Sequence, residues 1–288
     1  MSEARHSGTV TSPGGRFGRR VVNVVAAGSL LYLFLPVLVI VAFSFNQPSG
    51  KFNAVWEGFT LDNWLHPTPA LNASPLVAAL LLSLRIALIA SAVATVLGTF
   101  MAISIVRYRF RASGFVNFLV VLPLTTPEIV LGASLLTLFL EPHLVLANHR
   151  FALGFVTILL AHIMFCVSYV AMTVKARIRG FDWTLEDAAM DLGAPPARTF
   201  LKVTLPLILP GILAAFLLSF ALSIDDFIIT YFVSGPSTQT FPVQIFGQSR
   251  VATPPQINVL ASMILFGSVT VMAIGSIVGA RRQRRLGL

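Results

Sequence analysis

Leu185-Glu186-Asp187-Ala188-Ala189-Met190-Asp191-Leu192-Gly193, followed after nine residues by Val203-Thr204-Leu205-Pro206, is a polar interruption in an otherwise apolar chain. Leu185, Ala188, Ala189 and Leu192 recur at i, i+3, i+4 and i+7 and share one face of a helix, while Glu186, Asp187 and Asp191 take the polar side. Thr184 stands where an N-cap belongs, with Asp187 three residues on, and Gly193 supplies the left-handed residue that ends the helix. Pro195-Pro196 then opens a new helical start running toward Leu205-Pro206. A helix of about nine residues is marginal alone, since isolated helices need roughly 12–15 residues. It therefore has to pack against another surface, which Ala188 and Ala189 are small enough to admit, with the acids meeting basic groups there.

The chain around this loop has 288 residues, 56% of them hydrophobic and 11% charged, against roughly 25% charged in soluble domains. Its mean hydropathy is +0.85. Apolar runs near 21–45, 76–106, 115–140, 151–174, 205–232 and 259–280 each reach the roughly 20 residues needed to cross a bilayer. The expectation is an all-α membrane protein with six transmembrane helices: a tail at 1–20, a six-helix domain at 21–280 whose structured loop is 180–206, and a basic tail at 281–288. The first run is too long for the core of a cleaved signal peptide and reads as an anchor.

Basic residues in short loops mark the cytoplasmic side. Of the 20 Lys and Arg, 16 fall before the first run, after the second, after the fourth and at the end, whereas only Lys51, Arg150 and Arg250 fall in the opposite loops. Both termini and the 180–206 loop are expected in the cytoplasm. Topology accounts for the net charge of +9, so nucleic acid is not the expected partner. Cys166 is the single cysteine, which excludes an intrachain disulfide.

Several residues carry chemistry. Glu128 lies midway along the third run, where an ionised carboxylate costs roughly 2.5–3.5 kcal/mol, so it is functional, paired or protonated. Pro123 and Pro127 flank it, and breaks in a membrane helix are tolerated where the backbone lines a cavity or finds internal partners. Asp225 and Asp226 lie roughly 30 Å along a helix from Pro206, near its outer end. Adjacent carboxylates diverge, so one faces a pathway while the other caps or pairs. Tyr231 is either an aromatic contact for a cation or an interfacial anchor. His162, Cys166 and Tyr169 share a helix face but lack the ligand set of a stable metal site, and helix packing accounts for them. His143 and His149 read as solvated. In the loops, residues 46–75, with Trp56 and Trp64, read as an interfacial element, and Gly235-Pro236, Pro242 and Pro254-Pro255 interrupt helix across 234–258.

Asp187-Ala188-Ala189, three residues, Gly193, nine residues and Val203-Thr204-Leu205-Pro206 resembles the loop motif of ABC-importer permeases, EAA-x3-G-x9-I-x-LP, with Asp187 for Glu and Val203 for Ile. Three further segments resemble the polyamine branch of that family, in its second-permease type. They are Leu122-Pro123-Leu124-Thr125-Thr126-Pro127-Glu128-Ile129-Val130-Leu131-Gly132, Phe220-Ala221-Leu222-Ser223-Ile224-Asp225-Asp226-Phe227 and Pro255-Gln256-Ile257-Asn258. The resemblance implies a type I ABC-importer permease (MetI-like) fold in a bacterial inner membrane. It implies that a cytosolic ATPase is met through Glu186, Asp187, Ala188, Ala189, Gly193, Leu205 and Pro206. The implied partners are two ATPase subunits, a second homologous permease, an extracytoplasmic solute-binding protein and membrane lipid. No cofactor is expected in this chain, ATP and Mg being held by the ATPase. The implied cargo is spermidine or putrescine, passed along a path of Glu128, Asp225, Asp226 and Tyr231. Gln256, where that branch commonly has an acid, and the unusual stretch at 251–254 keep another small solute open: an amino-acid derivative, an opine or a metal complex.

Gly50-Lys51 is followed by Phe52, so no G-x-x-x-x-G-K-[ST] phosphate loop exists, and no G-x-S-x-G or H-E-x-x-H motif occurs either. A transport subunit driven by a separate ATPase fits, and an enzyme does not. A self-sufficient carrier would also use six helices and buried acids, but it needs no docking loop.

Overall fold

The computed structural model describes residues 16–66, 75–108, 111–141, 152–250, 254–267 and 269–270. In chain order the helices are α1 (Arg16–Phe43), α2 (Asp62–Leu65), α3 (Pro75–Arg107), α4 (Ser113–Thr125), α5 (Glu128–Leu140), α6 (Phe155–Ile178), α7 (Thr184–Asp191), α8 (Pro196–Thr199), a π-helical turn (Phe200–Thr204), α9 (Leu205–Asp225), α10 (Ile228–Val233) and α11 (Phe241–Ser249). A further helix, α12, spans Pro255–Gly267. The expected tail at 281–288, His143 and His149 lie outside the described residues. Helix begins at Arg16, earlier than the expected boundary at 21.

Four stretches among the described residues are long and apolar enough to cross a membrane: Arg20–Phe43, Pro75–Arg107, Phe155–Ile178 and Pro196–Asp225. The third expected span is no straight helix: α4 and α5 meet at 109° and make a fifth crossing only if the bent pair counts as one. The cause is local. Thr126 precedes Pro127 and is held extended, at φ −81° and ψ 132°. Pro127 has no N–H to continue the ladder, and the Oγ1 atoms of Thr125 and Thr126 donate to the Leu122 carbonyl at 3.1 and 2.7 Å as α4 ends. The sixth expected run, 259–280, extends past the described residues.

The chain divides into two units, residues 1–69 with 252–288, and residues 70–251. In the second unit α3 packs along α6, and both pack against α9. The buried face of α3 is mostly small residues, including Ala79, Ser83, Ala87, Ala90, Ala94, Gly98 and Ala102. In lipid, such a stripe drives association by letting backbones approach closely. At Gly98 the approach is closest to a limit, because a Cβ there would stand 2.8 Å from Val170 Cβ and 2.9 Å from the Val167 carbonyl oxygen. Ile86, Ile158, Phe165, Val170, Val174 and Ile208 fill the core around this seam. The prolines at 242 and 255 sit in the first turns of α11 and α12 and start helices there, where a missing N–H costs nothing.

In the first unit the segment after α1 folds on itself around the fully buried Asn46. Its Nδ2 donates to Asn53 Oδ1 at 2.6 Å and to the Val55 carbonyl at 2.7 Å, while its Oδ1 accepts from Glu57 N at 2.9 Å. Phe45 stacks between Phe59 and Trp64. From Val21 to Ile40 nearly all the apolar side chains of α1 are exposed, as suits a helix solvated by lipid.

Candidate functional site

The loop helix α7 forms where the periodicity places it, but its cap and its facing differ from expectation. Asp182, not Thr184, closes the N-terminus: its Oδ1 accepts from Thr184 N at 3.0 Å and from Thr184 Oγ1 at 2.8 Å. At the other end Gly193 has φ +86°. Its N–H bonds Met190 O at 2.8 Å, and Ala194 N–H bonds Ala189 O at 3.1 Å, the paired bonds of a Schellman stop. Pro196 then begins α8. Pro206 has no N–H and its ring would strike the carbonyl four residues back. The chain widens just before it into the π turn, where Leu205 N–H reaches the Phe200 carbonyl.

Glu186 does not lie on a solvated acidic face. It is 3% exposed, and Arg107 Nη1 at the end of α3 meets its Oε2 at 2.7 Å, while Thr204 Oγ1 of the π turn donates to Oε1. The Arg107 guanidinium also stacks over the Trp183 ring at 5.3 Å. One carboxylate thus joins α7 to the nearby π turn and to the end of α3, which is far away in sequence. Of the expected apolar stripe, Leu185 and Ala188 are exposed and Leu192 is 90% exposed, beside the exposed Asp187 and Asp191, while Ala189 is half-buried. The physical reason is that the loop meets an arginine on its inner side, so the acid turns inward and leucine is left for whatever lies outside.

A second constellation lies toward the other end of α9. Asp225 ends that helix, and Asp226 is extended at ψ 121°, so the expected span 205–232 is interrupted here. Asp226 Oδ2 accepts from Thr230 N at 2.8 Å and Thr230 Oγ1 at 2.7 Å, which starts α10 afresh. Glu128 opens α5 immediately after the 109° bend. A recess of about 300 Å³ is lined by Glu128, Asp225 and Asp226 together with Pro123, Leu131, Phe165, Tyr169, Leu222, Phe227, Ile228 and Ile229. The bend and the interruption therefore bring three carboxylates from two distant parts of the sequence to one apolar and aromatic hollow. Tyr231 is not among its lining residues; it is exposed, with its ring 5.6 Å from Phe227 and 6.5 Å from Phe246.

His162 and Tyr169, which packing was expected to explain, lie next to this recess. Tyr169 is a wall of the recess, and His162 stands behind Asp226, with Nε2 3.3 Å from its Oδ2. Their spacing on α6 was visible as a shared face, but the partners of His162 come from α9 and α10, which no local pattern shows. Near the end of the same helix the buried Lys175 donates to Asn117 Oδ1 of α4.

Broken spans around a carboxylate-lined recess, with a capped loop helix bolted to two long spans, are features that suit a membrane transport component. Residues 94–286 match the family described as binding-protein-dependent transport system inner membrane component, and the chain belongs to that family: it is a permease subunit of an ABC importer, a transport component and not an enzyme. It is 40% identical over 260 residues to the putrescine transport system permease protein PotI of Escherichia coli (strain K12), covering 88% of this chain and 89% of the relative. It is 37% identical over 250 residues to the spermidine/putrescine transport system permease protein PotC of the same strain, covering 87% and 90%. Among solved structures, a bacterial ABC transporter involved in the import of the acidic polysaccharide alginate aligns with TM-score 0.67 at 15% identity, over 92% of this chain and 94% of that one. An amino acid ABC transporter aligns with TM-score 0.53 at 19% identity, over 72% and 93%. These two likenesses concern the fold alone.

Proposed function

We propose that this chain is one of two permeases in a bacterial polyamine importer, and that the recess between α5, α6 and α9 is a station for the cargo. The observation that carries the reading is the pairing of exposed Glu128 and Asp225 on one hollow with Phe165, Tyr169 and Phe227. A polyamine is a chain of ammonium groups joined by methylenes. Carboxylates hold the charges by charge-assisted hydrogen bonds, and aromatic faces suit both the cations and the methylenes between them. The similarity to putrescine and spermidine permeases supports the same cargo.

In this reading both termini and α7 are cytoplasmic, the exposed Leu185, Ala188 and Leu192 seat in one of two ATPase subunits, and a binding protein delivers cargo from the other side. Closure of the ATPase dimer displaces α7. Because Glu186 is tied to Arg107 and Thr204, the displacement moves α3 and α9 together, and the rocking of these packed helices opens the recess to one side and then the other.

Uptake of radiolabelled putrescine by the reconstituted importer tests the cargo site. The double variant Glu128→Gln with Asp225→Asn is expected to lower uptake about tenfold or more, the factor that corresponds to about 1.4 kcal/mol of lost charge pairing. Uptake at the wild-type rate by a normally assembled variant would remove the recess from the transport path.

A further inference from the structure

Helix α1 ends at Phe43, yet the carbonyls that follow are not left to water. Asn53 Nδ2 donates to the Phe43 carbonyl at 2.8 Å, and Asn63 Nδ2 donates to the carbonyls of Ser44 at 3.2 Å and Asn46 at 2.7 Å. Trp64 Nε1 donates to Ser44 Oγ at 3.0 Å. Ser44, Asn46 and Asn53 are buried, so the polar side chains of this segment turn inward and serve its own backbone. The large apolar ones turn outward: Phe52, Val55, Trp56, Phe59, Leu61 and Leu65 are exposed, Phe59 at 66%. A loop folded for water shows the opposite pattern. Irregular backbone that approaches hydrocarbon, by contrast, must have its polar groups satisfied by protein.

The same face continues the lipid-facing surface of α1. The Trp56 ring meets that of Phe43, the last residue of the helix, edge to face at 6.1 Å. Arg20–Phe43 is long and apolar enough to cross a membrane, so the exposed rings begin where that stretch ends. Lys51, Glu57 and Asp62 are exposed among them, and charges of this kind stay at the level of the headgroups. Aromatic side chains beside such charges suit the boundary between headgroups and acyl chains, where tryptophan is enriched. Trp64 is not part of this face, being half-buried and stacked on Phe45.

We propose that residues 44–65 form a lipid-inserting collar at the end of α1, in which Phe52, Val55, Trp56, Phe59 and Leu65 seat in the interfacial layer of the bilayer and the occupant of the exposed face is phospholipid. The inward asparagines make this possible, because they leave the collar no unpaired carbonyl at the end of the helix to carry into that layer. The collar holds the end of α1 at a fixed depth, with rings on the acyl side and Lys51, Glu57 and Asp62 on the water side. It is a membrane contact and not a docking surface for a soluble protein, and it does not depend on the identity of the cargo.

The test uses the full importer in phospholipid vesicles, with and without its binding protein. The photoreactive residue benzoylphenylalanine, which inserts into C–H bonds within its reach, replaces Phe52, Trp56 or Phe59 one at a time. Each replacement exchanges one exposed aromatic ring for another. After irradiation the intact mass of the permease is read. A mass increase of one phospholipid is expected at all three positions, whether or not the binding protein is present. An adduct with the mass of the binding protein or of the second permease as the main product overturns the proposal, and so does the absence of any adduct, the mark of a face open to water. A second readout needs no variant: hydroxyl-radical footprinting of the unmodified importer in the same vesicles is expected to leave Trp56 and Phe59 protected. Oxidation of both at the rate of the unfolded chain overturns the proposal even if the labelled variants fail to accumulate.

Discussion

Arg107 Nη1 stands 2.7 Å from Glu186 Oε2, and the two side chains are unequally exposed, 34% for the arginine and 3% for the carboxylate. The pair joins the end of α3 to α7, and the Thr204 hydroxyl on the other oxygen brings in the entry to α9. Because the carboxylate is enclosed and the guanidinium is partly in water, the two halves are not equivalent. Arg107→Ala leaves an unpaired buried charge and is expected to cost about 3 kcal/mol. Glu186→Gln keeps a hydrogen-bonding group under Thr204 and frees an arginine that water can reach, and is expected to cost about 1 kcal/mol or less. Thermal unfolding in detergent checks the order; equal losses would mean that the enclosure of Glu186 has no energetic consequence.

Gly193 is the hinge point at which the chain turns from α7 toward α8. Nothing lies within 4 Å of a Cβ built on it, so a side chain there meets no steric obstacle and the cost of substitution is that of φ +86° alone. Asparagine tolerates this region and a β-branched residue does not. Gly193→Asn is expected to behave as the wild type. Gly193→Val is expected to destabilise the turn by about 1–2 kcal/mol and to abolish substrate-stimulated ATP hydrolysis in the reconstituted importer while binding-protein affinity is kept. Retained stimulation in Gly193→Val would remove the turn from the coupling route.

The sequence alone carried four spans as long apolar runs, though not the count of six, and the loop helix as a 3.6-residue period with its stop as a glycine, because each depends on neighbours within a few residues. The facing of α7 was not legible. Leu185 and Glu186 are adjacent, and which of them turns inward depends on Arg107, 79 positions away from Glu186. Likewise Pro127 announces a break after Thr126, but neither the 109° angle nor the packing of α5 on α10 is written in the local sequence. Asp226 was readable as one of two diverging acids, whereas the His162 behind it was not, since its bonds to Ser223 and Thr230 cross 61 and 68 residues of sequence.

At Gly98 the α3 and α6 backbones leave no room for a methyl group. Gly98→Ala sets a Cβ 2.8 Å from Val170 Cβ and 2.9 Å from the Val167 carbonyl oxygen, an overpacking worth about 1–3 kcal/mol. Val170→Ala in the same chain is expected to remove the 2.7 Å contact with Val170 Cγ1 but neither of these two, because alanine keeps its Cβ and a backbone oxygen cannot be trimmed. Gly247→Ala, in α11 with open space around it, is expected to be neutral or slightly stabilising, since alanine is the better helix former. Unfolding midpoints in detergent for the three variants check the ranking, and full rescue by Val170→Ala would contradict it.

Leu192 is 90% exposed at the end of α7, next to exposed Leu185 and Ala188. A surface leucine that touches nothing contributes little to its own chain, so Leu192→Glu is expected to shift the stability of the permease by no more than about 0.5 kcal/mol. If this face seats in an ATPase, the same change removes an apolar contact worth about 1.5–3 kcal/mol on burial and forces a carboxylate into an apolar groove. The two effects separate cleanly. Thermal unfolding of the variant is expected to match the wild type, while the ATPase recovered with it from detergent-solubilised membranes falls at least tenfold, a loss of about 1.4 kcal/mol or more. An ATPase that stays bound at the wild-type stoichiometry would move the docking surface off this face of α7, leaving Glu186 and Arg107 as a purely internal brace.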